Sequence, residues 1–251
     1  MAFARVFNKR IQVSIILPYY EKASTVFQCL DRLSNQALVM CGADQLEVIL
    51  VDDGTEGEDI GSRLPESVIY VWQRKNLFGG SRARNTGAKM ANGKYLIFLD
   101  PDVLVSETFV DAVLRGFDRF GDRVVQTGYI WDYHFKGCPD PRTEFGVWHM
   151  ADGVSTRFFQ LAAGNLAISR QLFFETGGFD EDVIYGGVED LLFGYHISKL
   201  RGTGVYFNRD MMSWHIPHPP AHAHVDPGRS WQVVKEKDPE FYDAYITKGL
   251  R

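Results

Sequence analysis

The sequence predicts an α/β protein with a mostly parallel central sheet, and three observations support this fold class. Apolar, β-branched runs typical of strands alternate with helical patterns from about residue 13 to residue 130. The first strand, helix and second strand occupy about 40 residues, which is the length of a βαβ unit with both strand ends on one edge of the sheet. Residues 95–99 form an unbroken apolar run, as expected for a strand that is buried on both faces.

The other elements follow in chain order. Ser24, Ser81 and Ser106 are placed to cap the N-termini of helices, and Gly202 is placed to end the helix at 191–200. A helical tail is expected from residue 230 to residue 250. The predicted strands cover residues 13–17, 46–51, 68–72, 95–99, 124–130, 164–169 and 205–207.

Composition limits the possible classes of protein. A chain of 251 residues can bury the core of one large domain, and its net charge of −5 argues against general nucleic-acid binding. No apolar run approaches the roughly 18 residues that cross a membrane, and the first ten residues lack the apolar core of a signal peptide, so we expect a cytoplasmic protein. The three cysteines match no zinc-binding spacing and are expected to be reduced thiols.

The central strand ends at Asp100-Pro101-Asp102, two carboxylates at the edge where open α/β sheets bind ligands. Such a pair can hold one hard divalent cation, which phosphate oxygens of a substrate often complete. The alternative is an ordinary turn and helix-start signal.

Residues 74–94 carry six cations and no acid, although the whole chain is acidic. Arg82 or Arg84, at the start of the helix that follows Gly80, could face a pyrophosphate. The alternative is a helix face in solvent.

Two acids and a histidine complete the candidate site. Glu189 and Asp190 follow two glycines in the first turn of a predicted helix, where they could be catalytic or only complement the helix dipole. Four histidines lie between residues 215 and 224, and His215 is the candidate to complete the aspartate-bound cation, the others being loop residues.

Taken together, these segments resemble the family 2 glycosyltransferases, which have the GT-A fold, a Rossmann-like central sheet flanked by helices with a smaller acceptor-side region. The resemblance covers about four-fifths of the chain, and its latter half is similar to galactosyl- and N-acetylgalactosaminyltransferases. The motifs that support it are Ile16-Leu17-Pro18-Tyr19-Tyr20-Glu21, Val51-Asp52-Asp53-Gly54, the segment 80–87, Asp100-Pro101-Asp102, and Gly177-Gly178-Phe179-Asp180-Glu181 followed by Glu189-Asp190.

The resemblance implies a single domain with a nucleotide-binding half (10–130), an acceptor-binding half (131–225) and a C-terminal helical tail (226–251). It implies that Asp102, His215 and Asp100 bind a metal, and that Asp190, beside Glu189, is the general base. Asp52 would face the uracil edge. The implied nucleotide-sugar pocket comprises Pro18, Tyr20, Glu21, Asp52, Gly80, Arg84 and Asp100.

The implied activity is inverting, metal-dependent transfer of a hexose or N-acetylhexosamine from a UDP-sugar to a hydroxyl of a glycan or small-molecule acceptor. Mixed oxygen and imidazole ligands favour Mn²⁺, with Mg²⁺ as a second candidate. Val188 separates the glycines from Glu189, a departure from the subgroup motif that leaves the donor sugar open. The chain has no Gln-x-x-Arg-Trp motif, so we expect non-processive transfer.

Two other functions remain open. A sugar-1-phosphate nucleotidyltransferase would need a glycine-rich basic loop after the first strand, where this chain has Pro18-Tyr19-Tyr20-Glu21. A non-catalytic nucleotide-sugar or glycan-binding module would share the pocket without the chemistry. The aromatic residues between 131 and 148 could stack on a sugar or pack in the core.

Overall fold

A computed structural model describes residues 11–39, 45–75, 80–132, 154–155, 158, 161–184, 187–218 and 227–247. The strands are β1 (Val13–Tyr19), β2 (Leu46–Asp52), β3 (Val68–Trp72), β4 (Tyr95–Leu99), β5 (Val103–Val105), β6 (Val124–Thr127), β7 (Ile130–Asp132), β8 (Val154–Ser155), β9 (Asn165–Ser169), β10 (Gly204–Phe207) and β11 (Ser213–His215). The helices are α1 (Ala23–Val39), α2 (Gly80–Met90), α3 (Phe109–Phe120), α4 (Arg170–Glu175), α5 (Val188–Ser198), α6 (Pro227–Lys237) and α7 (Pro239–Tyr242). A short 3₁₀ helix covers Gly61–Arg63, and a π-helical turn covers Asp243–Thr247.

The central sheet has eight strands in the order β3-β2-β1-β4-β9-β6-β10-β8. Six of them run in one direction, while β9 is antiparallel to β4 and β6, and β8 is antiparallel to β10. The predicted mostly parallel α/β sheet is therefore confirmed. The carboxyl ends of β1, β2 and β4 lie side by side at one edge, and the predicted site residues follow these ends.

Alternate residues of the buried strands supply the core on the two faces of this sheet. Ile15 and Leu17 belong to the cluster that includes α1 and α3 side chains, whereas Ile16 belongs to the cluster that includes α2, α4 and α5 side chains. Helix α2 packs closely here because Gly87 has no side chain: a Cβ at this position would lie 2.4 Å from Cγ2 of Ile16. Met90, the last residue of this helix, is 51% exposed.

A second sheet of three short strands, in the order β5-β11-β7, was not predicted. The expected single strand at 124–130 is wrong, since β6 ends at Thr127 and β7 begins at Ile130 in the second sheet. The break contains Gly128, which packs so closely that a Cβ there would lie 2.2 Å from the Met211 carbonyl oxygen. This second sheet brings the chain around His215 back to the end of β4.

Several predicted helix boundaries also differ. Helix α1 begins at Ala23 and α2 at Gly80, one residue before the expected caps, and α3 begins three residues after Ser106. Helix α5 ends at Ser198, with Gly202 in the following turn. The described part of the tail forms α6, α7 and the π-helical turn, and Val234 and Phe241 share a buried cluster with Leu192 of α5. Among the described residues, no helix combines the length and the apolar character that crossing a membrane would need.

Candidate active site

The structure gathers Asp102, His215 and His218 into a group that could hold a metal ion. One ligand atom from each lies within 4.8 Å of the others. His215 and His218 reach the aspartate because β11 pairs antiparallel with β5, which places His215 opposite Val103, and because the Ile216 N–H donates to the Asp102 carbonyl at 2.8 Å. The predicted pairing of Asp102 with His215 is thus brought together by the second sheet.

The Asp102 carboxylate is buried and surrounded by cationic or potentially cationic groups. Its side chain is 2% exposed, its Oδ2 lies 2.7 Å from His218 Nε2 and contacts the Lys22 ammonium, and His215 Nε2 is 3.8 Å away. Burial acts to raise the pKa of Asp102, but the His218 hydrogen bond and the Lys22 charge outweigh it and hold that pKa well below its usual range. Oδ1 is buried without a hydrogen-bond partner among the described residues. The buried carboxylate can therefore still accept a ligand, and two imidazoles lie beside it. This donor set fits a divalent cation of intermediate hardness such as Mn²⁺.

Asp100 lies outside this metal-ligand group, contrary to the expectation that it shares the cation. Its Oδ1 accepts a hydrogen bond of 2.9 Å from Arg84 Nη2. Asp100 also packs against Gly164, where a Cβ would lie 2.5 Å from Asp100 Oδ2. The two carboxylates are two residues apart in a turn, yet they have different partners. Asp102 lies beside the histidines, whereas Asp100 binds Arg84 of α2.

Arg84 is buried rather than exposed on a solvated helix face. Its side chain is 9% exposed, and its Nε atom is buried without a hydrogen-bond partner among the described residues. Gly80, at the start of α2, lies against the same guanidinium, since a Cβ there would be 3.3 Å from Arg84 Nη1. Arg82 instead donates to the Arg74 carbonyl at 2.7 Å and is partly exposed.

Glu189 and Asp190 lie in the first turn of α5, as predicted. Asp190 Oδ2 accepts from the Ala163 N–H at 3.1 Å, next to the Gly164 that packs on Asp100. Asp190 Oδ1 and Glu189 Oε2 are buried without a hydrogen-bond partner in the part of the chain that is described. Burial, followed by the Glu189 charge, raises the pKa of Asp190 to about 8, although Arg84 opposes the shift. Burial also raises the pKa of Glu189. A carboxylate with a pKa near neutrality is suited to general-base chemistry.

The remaining predicted residues line the ends of β1 and β2. Pro18 and Tyr20 flank the last residue of β1, and the Lys75 ammonium lies 3.5 Å from the centre of the Tyr20 ring. Glu21 adopts φ of +49°, a left-handed conformation uncommon for a side-chain-bearing residue, with its N–H donating to Thr55 Oγ1 at 3.1 Å. Strained backbone of this kind is often found at functional sites.

Asp52 ends β2 and is almost fully buried. Its two oxygens accept hydrogen bonds of 2.8 Å, one from the Thr55 N–H and one from the Tyr70 hydroxyl. The predicted contact with a uracil edge would use the remaining lone pairs of these oxygens.

Sequence reasoning missed two site residues, His218 and Lys22. His218 was expected to be a loop residue only; the spacing of three residues between His215 and His218 was the available signal. Lys22 follows the β1 motif directly, but nothing in the sequence showed that its side chain reaches Asp102, 80 residues away. Most of the aromatic segment 131–148, together with His222 and His224, lies outside the described residues.

The fold and the site together define the GT-A class of glycosyltransferase fold. The sheet is mostly parallel, its central strand ends in an Asp-x-Asp turn, and a helix that begins with paired acids lies beside that turn. The Staphylococcus aureus TarS fragment 1–349, solved in complex with UDP-GlcNAc, has this fold: its TM-score is 0.71 at 18% identity, over 90% of this chain and 65% of that one. More specifically, the chain belongs to glycosyl transferase family 2, whose model matches residues 14–166.

Curated relatives agree with this assignment. Validoxylamine A glucosyltransferase of Streptomyces hygroscopicus subsp. jinggangensis is 25% identical over 84% of this chain and 56% of its own length. Polypeptide N-acetylgalactosaminyltransferase 11 of Xenopus tropicalis is 28% identical over 76% of the chain and 36% of its own length. The minor teichoic acid biosynthesis protein GgaB of Bacillus subtilis is 32% identical over 44% of the chain and 12% of its own length. The chain thus spans at most a little over half the length of these three relatives.

Proposed function

We propose that this chain is an inverting, metal-dependent glycosyltransferase that moves a hexose or N-acetylhexosamine from a UDP-sugar to an acceptor hydroxyl. The observation that supports it most is the meeting of two different chemical groups at the carboxyl end of β4. Asp102, His215 and His218 offer cation ligands, and Asp190 offers a buried carboxylate of raised pKa that is bonded to Ala163, next to the Gly164 that packs on Asp100. Membership of glycosyl transferase family 2 and the likeness to TarS, solved with UDP-GlcNAc and with UDP, support the choice of donor.

In this proposal Asp102, His215 and His218 hold the cation. A divalent cation there, Mn²⁺ by the chemistry of its ligands, supplies positive charge to the diphosphate leaving group. Arg84, kept in place by Asp100, adds fixed positive charge near the nucleotide. Pro18, Tyr20, Glu21, Asp52 and Gly80 line the nucleoside side of the pocket.

Asp190 is the general base of the reaction. Its carboxylate takes the proton of the acceptor hydroxyl while that oxygen bonds to the anomeric carbon. The bond from the anomeric carbon to the β-phosphate oxygen breaks at the same time, and UDP leaves with the electron pair. One displacement from the opposite face inverts the anomeric configuration. Glu189 raises the pKa of Asp190, which makes it a stronger base.

The direct test is metal-dependent consumption of nucleotide sugars. The protein is incubated with a panel of UDP-hexoses and UDP-N-acetylhexosamines, with Mn²⁺ or with EDTA, and released UDP is measured with and without glycan and small-molecule acceptors. We expect UDP release that requires Mn²⁺, and a product of inverted anomeric configuration by NMR. UDP-sugar binding without transfer or hydrolysis on any acceptor would favour a non-catalytic binding module instead.

A further inference from the structure

The Lys22 ammonium lies against two members of the candidate metal-ligand group. It contacts Asp102 Oδ2 and lies 3.0 Å from His218 Nε2, so it touches two of the three proposed ligand atoms. Its side chain is 22% exposed, which means that it reaches the buried Asp102 from the rim of the site. Burying the Asp102 carboxylate requires a cationic partner, and Lys22 supplies one within the chain.

An ammonium and a divalent cation compete for these two atoms and repel each other. A cation bonded to Asp102 Oδ2 and His218 Nε2 lies about 2.1 Å from each, so with Lys22 in place the two positive centres would be no more than about 4 Å apart and would compete for the same lone pairs. The two ligand atoms are now 2.7 Å apart. Adjacent corners of an octahedron with bonds of about 2.1 Å are separated by about 3 Å, so little movement of the ligands is needed once the ammonium has left.

The hydrogen bonding in this arrangement is incomplete. His218 Nε2 carries either a proton, which it donates to Asp102, or a lone pair, which accepts from Lys22, so it satisfies only one of its two close contacts. A cation that accepts lone pairs from both Asp102 and His218 would satisfy both atoms. The arrangement of Asp102 and His218 therefore suits the binding of a metal ion better than it suits a hydrogen-bond network in which every group is satisfied.

The backbone of Lys22 is fixed, but its side chain has a route out of the site. The Lys22 carbonyl accepts hydrogen bonds of 3.1 Å from the N–H groups of Thr25 and Val26 and from the Thr25 hydroxyl, which anchors the start of α1. Side-chain torsions alone can therefore withdraw the ammonium toward solvent. Rotation of an exposed side chain is fast compared with catalysis.

We propose that Lys22 is an internal cation that holds Asp102 and His218 together in the metal-free protein and that is displaced when a divalent cation binds. Lys22 then lowers metal affinity, because binding must break its contacts, and it stabilises the protein when metal is absent. This inference rests on the proposed function only in that it requires the metal to bind at Asp102, His215 and His218.

The test measures Mn²⁺ binding without any nucleotide, by calorimetry and by the EPR signal of free Mn²⁺. Lys22→Met removes the charge and keeps the length of the side chain, and Lys22→Arg keeps the charge. Lys94→Met is the matched control, because Lys94 precedes the other end of β4 and pairs with Asp122. We expect Lys22→Met to bind Mn²⁺ at least about tenfold more tightly than the unmodified chain, and the other two variants to bind within about twofold of it.

Thermal unfolding provides the second measurement. In EDTA, Lys22→Met should melt at least about 3 °C below the unmodified chain, and Mn²⁺ should raise its melting temperature by more than it raises that of the unmodified chain. If Lys22→Met does not fold, Lys22→Gln takes its place. Mn²⁺ binding that is equal or weaker without the lysine would overturn the role of Lys22 while leaving the metal site in place. Absence of Mn²⁺ binding in every variant would overturn the metal site itself, and the inference with it.

Discussion

Replacing Asp190 with Asn tests the proposed general base with little change of shape. The Asn oxygen can still accept from the Ala163 N–H, which lies 3.1 Å from Asp190 Oδ2, so the turn that packs on Asp100 should be retained. The amide cannot take a proton from an acceptor hydroxyl. Loss of a positioned base lowers the rate by about 10²- to 10⁴-fold, or about 2.7 to 5.4 kcal/mol of barrier. We therefore expect a loss of kcat in that range with UDP affinity unchanged.

The pH dependence gives the same test a second, independent readout. A base must be deprotonated to act, so kcat/KM, which reports the free enzyme, should rise with pH and level off above the pKa of Asp190, about 8. Burial favours the neutral carboxyl, and this is why the rise should come well above the range of an ordinary aspartate. The Asn variant should lose this rise.

Turnover and calorimetric UDP affinity with Mn²⁺ are measured for Asp190→Asn alongside Asp182→Asn. The latter removes one carboxylate that is 69% exposed and ion-paired with Lys237, so it should leave kcat within about twofold of the unmodified chain. Turnover of Asp190→Asn within about fivefold of normal would refute the assignment of Asp190 as the base.

Four further substitutions test the metal ligands, the nucleotide pocket and the packing beneath it. Asp102→Ala should abolish the Mn²⁺-dependent part of UDP binding, and calorimetry that finds unchanged affinity would contradict its role as a ligand. His218→Ala should weaken Mn²⁺ binding at least about tenfold, since the loss of a residue that only hydrogen-bonds a metal ligand already has an effect of that size. The control is His196→Ala, which removes an α5 imidazole that pairs with Asp238 and should leave Mn²⁺ binding normal. Asp52→Asn should weaken UDP binding at an unchanged melting temperature if the side chain faces uracil; a lower melting temperature with normal UDP affinity would show that its bonds to the Thr55 N–H and the Tyr70 hydroxyl are its only role. Asn85→Ala should lower the free energy of unfolding in urea by about 2 to 3 kcal/mol, because the Asn85 amide bonds both the N–H and the carbonyl of the buried Phe179. A loss below about 0.5 kcal/mol would show that these two hydrogen bonds contribute little to stability.

The sheet and most of the site elements could be predicted because their signals are local. An apolar run such as residues 95–99 identifies a buried strand whatever it later packs against, and a strand that ends in two aspartates places them at the ligand-binding edge. The paired acids of α5 could be located in the same way, from two glycines and a helical pattern. Each of these predictions depends on neighbours within about ten residues.

The partners of these residues could not be predicted because they depend on contacts between distant segments. Asp100 and Asp102 carry the same functional group two positions apart, and only their surroundings separate them: Arg84 of α2 binds one, while His218 and Lys22 approach the other. Strands β5 and β11 have three residues each, too few for a clear pattern, yet their pairing brings His215 and His218 to Asp102.

The amino-acid sequence by itself determined the α/β architecture, the edge of the sheet where the site lies and the identity of its acids, since hydrophobic patterning and turn residues act over short stretches of chain. Only the tertiary structure decided which acid meets which cation, that His218 and Lys22 reach Asp102, and that Asp190 has a raised pKa. Those properties come from burial and from charges brought within a few ångströms of one another by folding, and no local pattern records them.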